Sequence, residues 1–255
     1  MNAKILELFK NQKTKKDPNQ ESWWNSFWGT LIIAIGLAAF VRSFFFEPFH
    51  IPSSSMKSNL LIGDYIFVSK YSYGYSRYSF PFGLNIFSGR IFETKPQRGD
   101  VVVFRLPSNP RINYIKRLIG LPGDKIQVID GKVFINDEQV KKEFLDNFIS
   151  EDEKFFKRFS ETLPSGKQYE VLDESSHMPQ DNTGTYYVPE GHYFMMGDNR
   201  DNSQDSRFLN AVGYVPEENL VGKARIIFFS SKDAFWKFWG WPNDIRFNRI
   251  FKKIN

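Results

Sequence analysis

The sequence predicts a mainly β protein, with one N-terminal transmembrane helix followed by an extracytoplasmic β-rich domain that carries an inserted subdomain. Three observations predict it. An uncharged run of 20 residues, Ser22 to Val41, lies near the N-terminus. Beyond it, short runs of branched and aromatic residues alternate with glycines and prolines. A charged and polar stretch, 130–184, then interrupts that β texture.

The first element is a basic tail, 1–21. Lys4, Lys10, Lys13, Lys15 and Lys16 face three acids there, for a local charge of +2. Such a tail is expected to stay in the cytoplasm. The second element is the anchor, 22–46. As a helix, "SWWNSFWGTLIIAIGLAAFV" spans about 30 Å, the thickness of a bilayer's hydrocarbon core. Trp23, Trp24 and Trp28 sit at one end, where interfacial aromatics belong. Arg42 and Glu47 bracket the other end. A cleaved secretory signal is the competing reading, but the apolar run is long for one and its small residues lie inside the run. No later stretch is long and apolar enough to span again, so the rest is expected outside.

The body, 47–129 and 185–230, reads as strands. "DYIFVSKY" (64–71), "DVVVFRL" (100–106), "YIKRLIG" (114–120), "KIQVI" (125–129), "KVFIN" (132–136), "TYYVP" (185–189) and "ARIIFFS" (224–230) are all short and rich in β formers. Asp130-Gly131 predicts a type I′ hairpin turn. Within the insertion, Phe144, Leu145, Phe148, Ile149, Phe155, Phe156 and Phe159 recur roughly at helical spacing over 141–163, and 164–183 reads as loop. The aromatic stretch 71–87 reads as an irregular loop.

The last element, 231–255, carries six basic side chains against two acids. Phe247, Ile250, Phe251 and Ile254 recur at i, i+3, i+4 and i+7. With "FWKFWGW" (235–241), this predicts either a basic amphipathic segment at a membrane surface or a terminal helix packed on the domain.

Composition narrows the chemistry. The chain has no cysteine, which excludes disulfides, thiolate catalysis and cysteine-ligated metals. Its net charge of +5 sits at the two ends rather than on the folded body. That pattern suits an anionic membrane surface and argues against nucleic acid as a partner. G-x-S-x-G, P-loop, H-E-x-x-H and dinucleotide-binding patterns are all missing. "GDNRDNSQDSR" (197–207) is dense in oxygen ligands. Aligned as an EF-hand loop from Asp201, however, it has Ser206 where glycine is needed and Val212 where glutamate is needed. A turn knitted together by its own Asp, Asn and Arg side chains is the better reading, with no metal.

The triplet Ser53-Ser54-Ser55 follows the anchor closely, and a serine nucleophile needs a base. None of His50, His177 and His192 lies in a pattern that suggests one. A neutral lysine would serve. Its pKa of about 10.4 must then fall, which burial among apolar groups achieves. Lys116 in "NYIKRLIGLPGD" lies in an apolar strand, with Arg117 pointing to the opposite face. Taken alone, Lys116 reads first as a strand lysine with its head in solvent.

Four segments in order, behind an N-terminal anchor, change this. "IPSSSMKSNLLIGDYIFVSKY", "RGDVVVFRLP", "YIKRLIGLPGD" and "GDNRDNSQDSR" together closely resemble type I signal peptidase, a family of membrane-bound Ser/Lys-dyad serine proteases. The resemblance implies a signal-peptidase-like fold and assigns roles position by position. Ser55 is the nucleophile and Lys116 its general base. Ser53 donates a hydroxyl to the oxyanion hole beside the backbone N–H of Ser55, and Ser54 is the variable middle residue. Ser203 orients the lysine, and Asp205 is a supporting carboxylate. Phe49, Ile51, Pro52, Leu60, Tyr114 and Ile115 wall the substrate pockets, while Asp198, Arg200 and Arg207 are structural. One departure stands out: where the family commonly has x-Pro-Thr-Leu after Ser-Met, this chain has Lys57-Ser58-Asn59-Leu60.

The implied activity is removal of N-terminal signal peptides from exported preproteins at small-x-small sites such as Ala-x-Ala. The implied partners are preprotein signal peptides and the lipid bilayer. No cofactor and no metal are expected, and a monomer is. The implied location is a bacterial plasma membrane, crossed once, with the N-terminus cytoplasmic. A membrane-anchored β module that binds peptides without cleaving them is the alternative, which loss of Ser55 or Lys116 would have favoured. A soluble self-cleaving Ser/Lys repressor would need a DNA-binding helix pair in place of the anchor.

Overall fold

The computed structural model describes residues 23–80, 89–150, 153–175, 178–233 and 244–255. The basic tail 1–21, "FWKFWGW" (235–241), His177 and most of the second half of the aromatic stretch 71–87 therefore lie outside the described residues. The mainly β prediction holds. One helix, Trp23–Phe44, precedes a domain of short strands. Among the described residues it alone is long and apolar enough to cross a membrane, over Ser26–Phe44. Its apolar side chains, Ile32, Ile33 and Leu37 among them, face outward rather than into a core, as lipid-facing residues do.

Residues of the helix's last turn pair with the strand that follows and with Tyr75. Arg42 pairs with Glu47, and Glu47 also accepts from buried Lys70 at 2.8 Å. The Tyr75 hydroxyl donates to the Phe44 carbonyl.

A seven-stranded antiparallel sheet organises the domain. Its strands are β1 (Phe46–His50), β2 (Asp64–Ser69), β3 (Val101–Leu106), β4 (Asn109–Gly120), β12 (His192–Met196), β13 (Val215–Pro216) and β14 (Leu220–Ser230), in the order β1-β2-β14-β3-β4-β12-β13. A four-stranded sheet is built from β5 (Lys125–Ile129), β6 (Lys132–Ile135), β7 (Glu138–Gln139) and β11 (Tyr186–Tyr187). Asp130 and Gly131, at φ 49° and 69°, form the β5–β6 turn, as the type I′ geometry requires. Ile119, Phe194 and Met196 of the large sheet pack with Ile126, Val128 and Val133, so both sheets share one apolar core.

Three expectations are corrected. Residues 141–163 are not helical: β8 (Lys141–Ile149) and β9 (Phe155–Thr162) form an antiparallel hairpin. A bulge at Leu145 shifts the register of β8, so Phe144 and Phe148, although four apart, lie on opposite faces and the apolar residues do not alternate as in a regular strand. The pairs Phe144–Phe159 and Phe148–Phe156 face each other across the hairpin, as cross-strand aromatics do. The 164–183 stretch is not all loop, because β10 (Gln168–Asp173) pairs with β9. The C-terminal periodicity does not make a helix. Only Phe247–Arg249 form a 3₁₀ turn, and Phe251 at φ 64° breaks helical geometry. The chain then runs back along β14, with Ile254 packed on the core.

Candidate active site

The serine triplet occupies the turn that leaves β1. Ile51, Met56 and Leu60 are all buried in one apolar cluster and pin that turn to the core. Backbone bonds from Lys57 N–H to the Ser54 carbonyl (3.0 Å) and from Leu60 N–H to the Met56 carbonyl (2.7 Å) close it. Such tight closure holds Ser55 in place, and the residue is only 7% exposed.

β4 supplies the second group. Alternation along the strand sends Lys116 to the Ser55 side and Arg117 to the other. Lys116 Nζ lies 2.6 Å from Ser55 Oγ and 3.0 Å from the Ile115 carbonyl. Among the described residues no carboxylate pairs with it directly. Burial pushes its pKa down to about 8, against the charges of Asp205 and Asp198, which raise it, while Arg207 lowers it further. Arg117 is in the opposite situation. It is fully buried, but Asp198 takes its Nε and Nη2, each at 2.8 Å. Adjacent residues of one strand therefore face a neutral partner and a charged one.

The 197–207 segment closes the other side and is knitted by its own side chains. Asp205 accepts from Arg207 and from the Gly197 N–H, and the Arg207 guanidinium helps hold its carboxyl below the ordinary carboxylate range despite burial. Arg200 forms a bidentate pair with buried Glu161. Gly197 packs so closely that a Cβ there would lie 2.1 Å from Ser203 Oγ and 2.6 Å from the Ser55 carbonyl.

Between these walls lies an open cleft of about 610 Å³. Ser53, Ser55, Lys116 and Ser203 line it together, as do Phe49, Ile51, Pro52, Tyr114 and Ile115. Ser53 Oγ stands 3.4 Å from Ser55 Oγ, on the solvent side. Two expected placements differ. Leu60 is fully buried beneath the turn and does not line the cleft, because the turn needs its side chain as a core anchor. Ser203 Oγ is buried near Asp205 but makes no well-formed hydrogen bond, to Lys116 or to any other described group.

Sequence reading did not single out Asn199, whose N–H and side chain donate to the Ser55 and Ser54 carbonyls. It also missed Ile112, Gln204 and Phe208 in the cleft wall. The Tyr114 hydroxyl donates to Gln204 across the cleft at 3.0 Å. Asparagines and glutamines in loops carry no periodic signal that would have marked them.

An open cleft with a buried serine at its base is the arrangement that a serine endopeptidase needs. The family comparison narrows the class: a family model described as "Signal peptidase, peptidase S26" matches residues 24–229. The chain is 45% identical to the signal peptidase I of Rickettsia typhi over 96% of this chain and 97% of that protein. It is 43% identical to that of Rickettsia conorii (94% and 95%) and 42% identical to that of Rickettsia canadensis (98% of each). A solved signal peptidase I from Enterococcus faecalis aligns at 27% identity over 51% of this chain and 97% of that one, with a TM-score of 0.31. The chain belongs to the signal peptidase family, peptidase S26, whose members remove signal peptides.

Proposed function

We propose that this chain cleaves signal peptides from exported preproteins with Ser55 as nucleophile and neutral Lys116 as general base. One observation carries the reading: a buried lysine without a carboxylate partner lies 2.6 Å from a buried serine hydroxyl at the base of the cleft. Lys116 Nζ takes the Ser55 proton as Oγ attacks the scissile carbonyl. The developing oxyanion is held by the Ser55 N–H and the Ser53 hydroxyl. Collapse of the tetrahedral intermediate expels the amine of the mature chain, which takes the proton back from Lys116. A water then attacks the acyl-enzyme, with Lys116 again acting as base.

The substrate reading is a small-x-small site presented in extended form along the cleft. Shallow apolar walls from Phe49, Ile51 and Tyr114 favour small side chains over charged ones. The helix Trp23–Phe44 is read as a single membrane crossing. The five lysines of the tail favour a cytoplasmic N-terminus, which puts the domain on the outer face of a bacterial plasma membrane. Only ten residues separate Phe44 from Ser55. That short tether keeps the nucleophile close to where a membrane-embedded signal sequence ends.

The test uses the full chain in detergent and a peptide with an Ala-x-Ala site. Cleavage after the second alanine is expected, with Ser55→Ala and Lys116→Ala each at background while the fold remains intact by circular dichroism. Wild-type turnover in either variant would sink the dyad, and binding without cleavage by the unmodified chain would favour a peptide-binding module instead.

A further inference from the structure

The Ser58-Asn59 departure lies against the best-connected polar groups in the domain. Asn59 Nδ2 is 2.7 Å from Asp198 Oδ2, 2.9 Å from Ser58 Oγ and 3.1 Å from the Glu170 carbonyl. Ser58 Oγ donates to the same carbonyl at 2.6 Å. The Asn59 carbonyl accepts from Arg249 Nη2 at 2.9 Å. Asp198 is the partner of buried Arg117, and Arg249 is the partner of buried Asp64. Residue 59 thus bridges two buried arginine–aspartate pairs, one through its side chain and one through its backbone.

The other end of the same turn is held by the neighbour of Asp198. Asn199 donates its N–H to the Ser55 carbonyl (3.1 Å) and its side chain to the Ser54 carbonyl (3.2 Å). The dipeptide Asp198-Asn199 therefore grips the turn on both sides of the serine. Through Arg117 it also grips β4, next to Lys116.

We propose that Asn59 is a positioning residue, which holds Ser55 at hydrogen-bonding distance from Lys116 by tying the nucleophile turn to the Asp198–Arg117 pair. It replaces the stiffness of a proline with hydrogen bonds to buried, fixed acceptors. Ser58 and Arg249 support the same bridge. The proposal rests on the reading of Ser55 and Lys116 as the reacting pair. Loosening the turn would lengthen the Ser55–Lys116 contact, and a misplacement of about 1 Å is enough to slow a reaction roughly 100-fold. Loosening the turn also admits water to Lys116, whose lowered pKa comes first from burial, so it raises the base's pKa toward the ordinary lysine value.

The test compares Asn59→Ala, Asn59→Thr and the double change Ser58→Pro/Asn59→Thr in the full chain in detergent, with Ser55→Ala in parallel. For Asn59→Ala the expected kcat is lower by roughly 10- to 100-fold with KM within about threefold. The acidic limb of its pH–rate profile, which reports deprotonation of the base, moves upward by about half a unit. Asn59→Thr, which restores one donor, and the double change, which restores the stiff turn, are expected to recover most of the loss. The proposal is overturned by a kcat within threefold of the parent chain. It is equally overturned by a loss that scales all pH values alike and tracks the folded fraction, or by failure of both rescues. Turnover by Ser55→Ala would instead overturn the underlying assignment, so the two failures are distinguishable.

Discussion

Replacing Lys116 with methionine should abolish cleavage and at the same time stabilise the protein at neutral pH. Methionine nearly matches the lysine stem in shape and carries no charge. Moving a lysine pKa from its ordinary 10.5 to about 8 corresponds to about 3 kcal/mol, at ~1.4 kcal/mol for each tenfold change in protonation. Below pH 8 the lysine is protonated in both the folded and unfolded states, so folding carries that full penalty. Between pH 8 and 10.5 only the unfolded state keeps the proton, and stability rises with pH. Above 10.5 neither state is charged and the penalty is gone. Lys116→Met should therefore gain about 3 kcal/mol at pH 6.5, and this gain should shrink toward zero by pH 10.5. At about 2–4 °C per kcal/mol for a chain of this size, the melting temperature should rise by roughly 6–12 °C. Differential scanning calorimetry of both proteins in one detergent, at pH 6.5 and 10.5, measures this. Other groups titrate alike in the two proteins and cancel. A melting temperature unchanged or lowered at pH 6.5, or a gain equal at both pH values, would refute the reasoning that burial lowers the Lys116 pKa.

Two further substitutions probe the frame around the pair. Arg117→Met should be destabilising by about 3–5 kcal/mol, because Asp198 is left buried without its counter-charge; chemical denaturation reads it, and a loss under about 1 kcal/mol would contradict the pairing. Gly197→Ala should lower kcat/KM by about 100-fold or more, since its Cβ would overlap Ser203 and the Ser55 carbonyl; activity within about threefold of the parent would show that the loop can yield.

Legibility in the sequence followed the reach of each signal. The helix and the strands of the large sheet were readable because periodicity and β-branching act within a few residues. Asp130-Gly131 was readable because only certain residues tolerate two successive positive φ angles. The β8–β9 hairpin was misread because a bulge at Leu145 breaks the period-2 alternation of its apolar residues and leaves a spacing that imitates a helix's. The C-terminal segment failed for a tertiary reason: Arg249 is drawn inward to Asp64, which no local pattern announces.

The site shows the same limit more sharply. Ser55 and Lys116 are 61 positions apart, and their proposed roles come from the family motifs rather than from spacing. What no motif displays is why Lys116 rather than Arg117 is the proposed base. Both are cations in one apolar strand, and alternation says only that they face opposite ways. Arg117 stays charged because a guanidinium does not give up its proton in a protein, and Asp198 on that side balances the charge, while a serine hydroxyl faces Lys116 and leaves burial unopposed by any direct ion pair among the described residues. The same aspartate reaches Asn59 and so touches the nucleophile turn as well. A single buried carboxylate thus balances the charge of one strand residue by contact and fixes the turn that carries the serine, while its pull on Lys116 acts only at a distance and is outweighed by burial. A carboxylate in direct contact with Lys116 on the other face of β4 would hold that lysine charged and end its use as the proposed base.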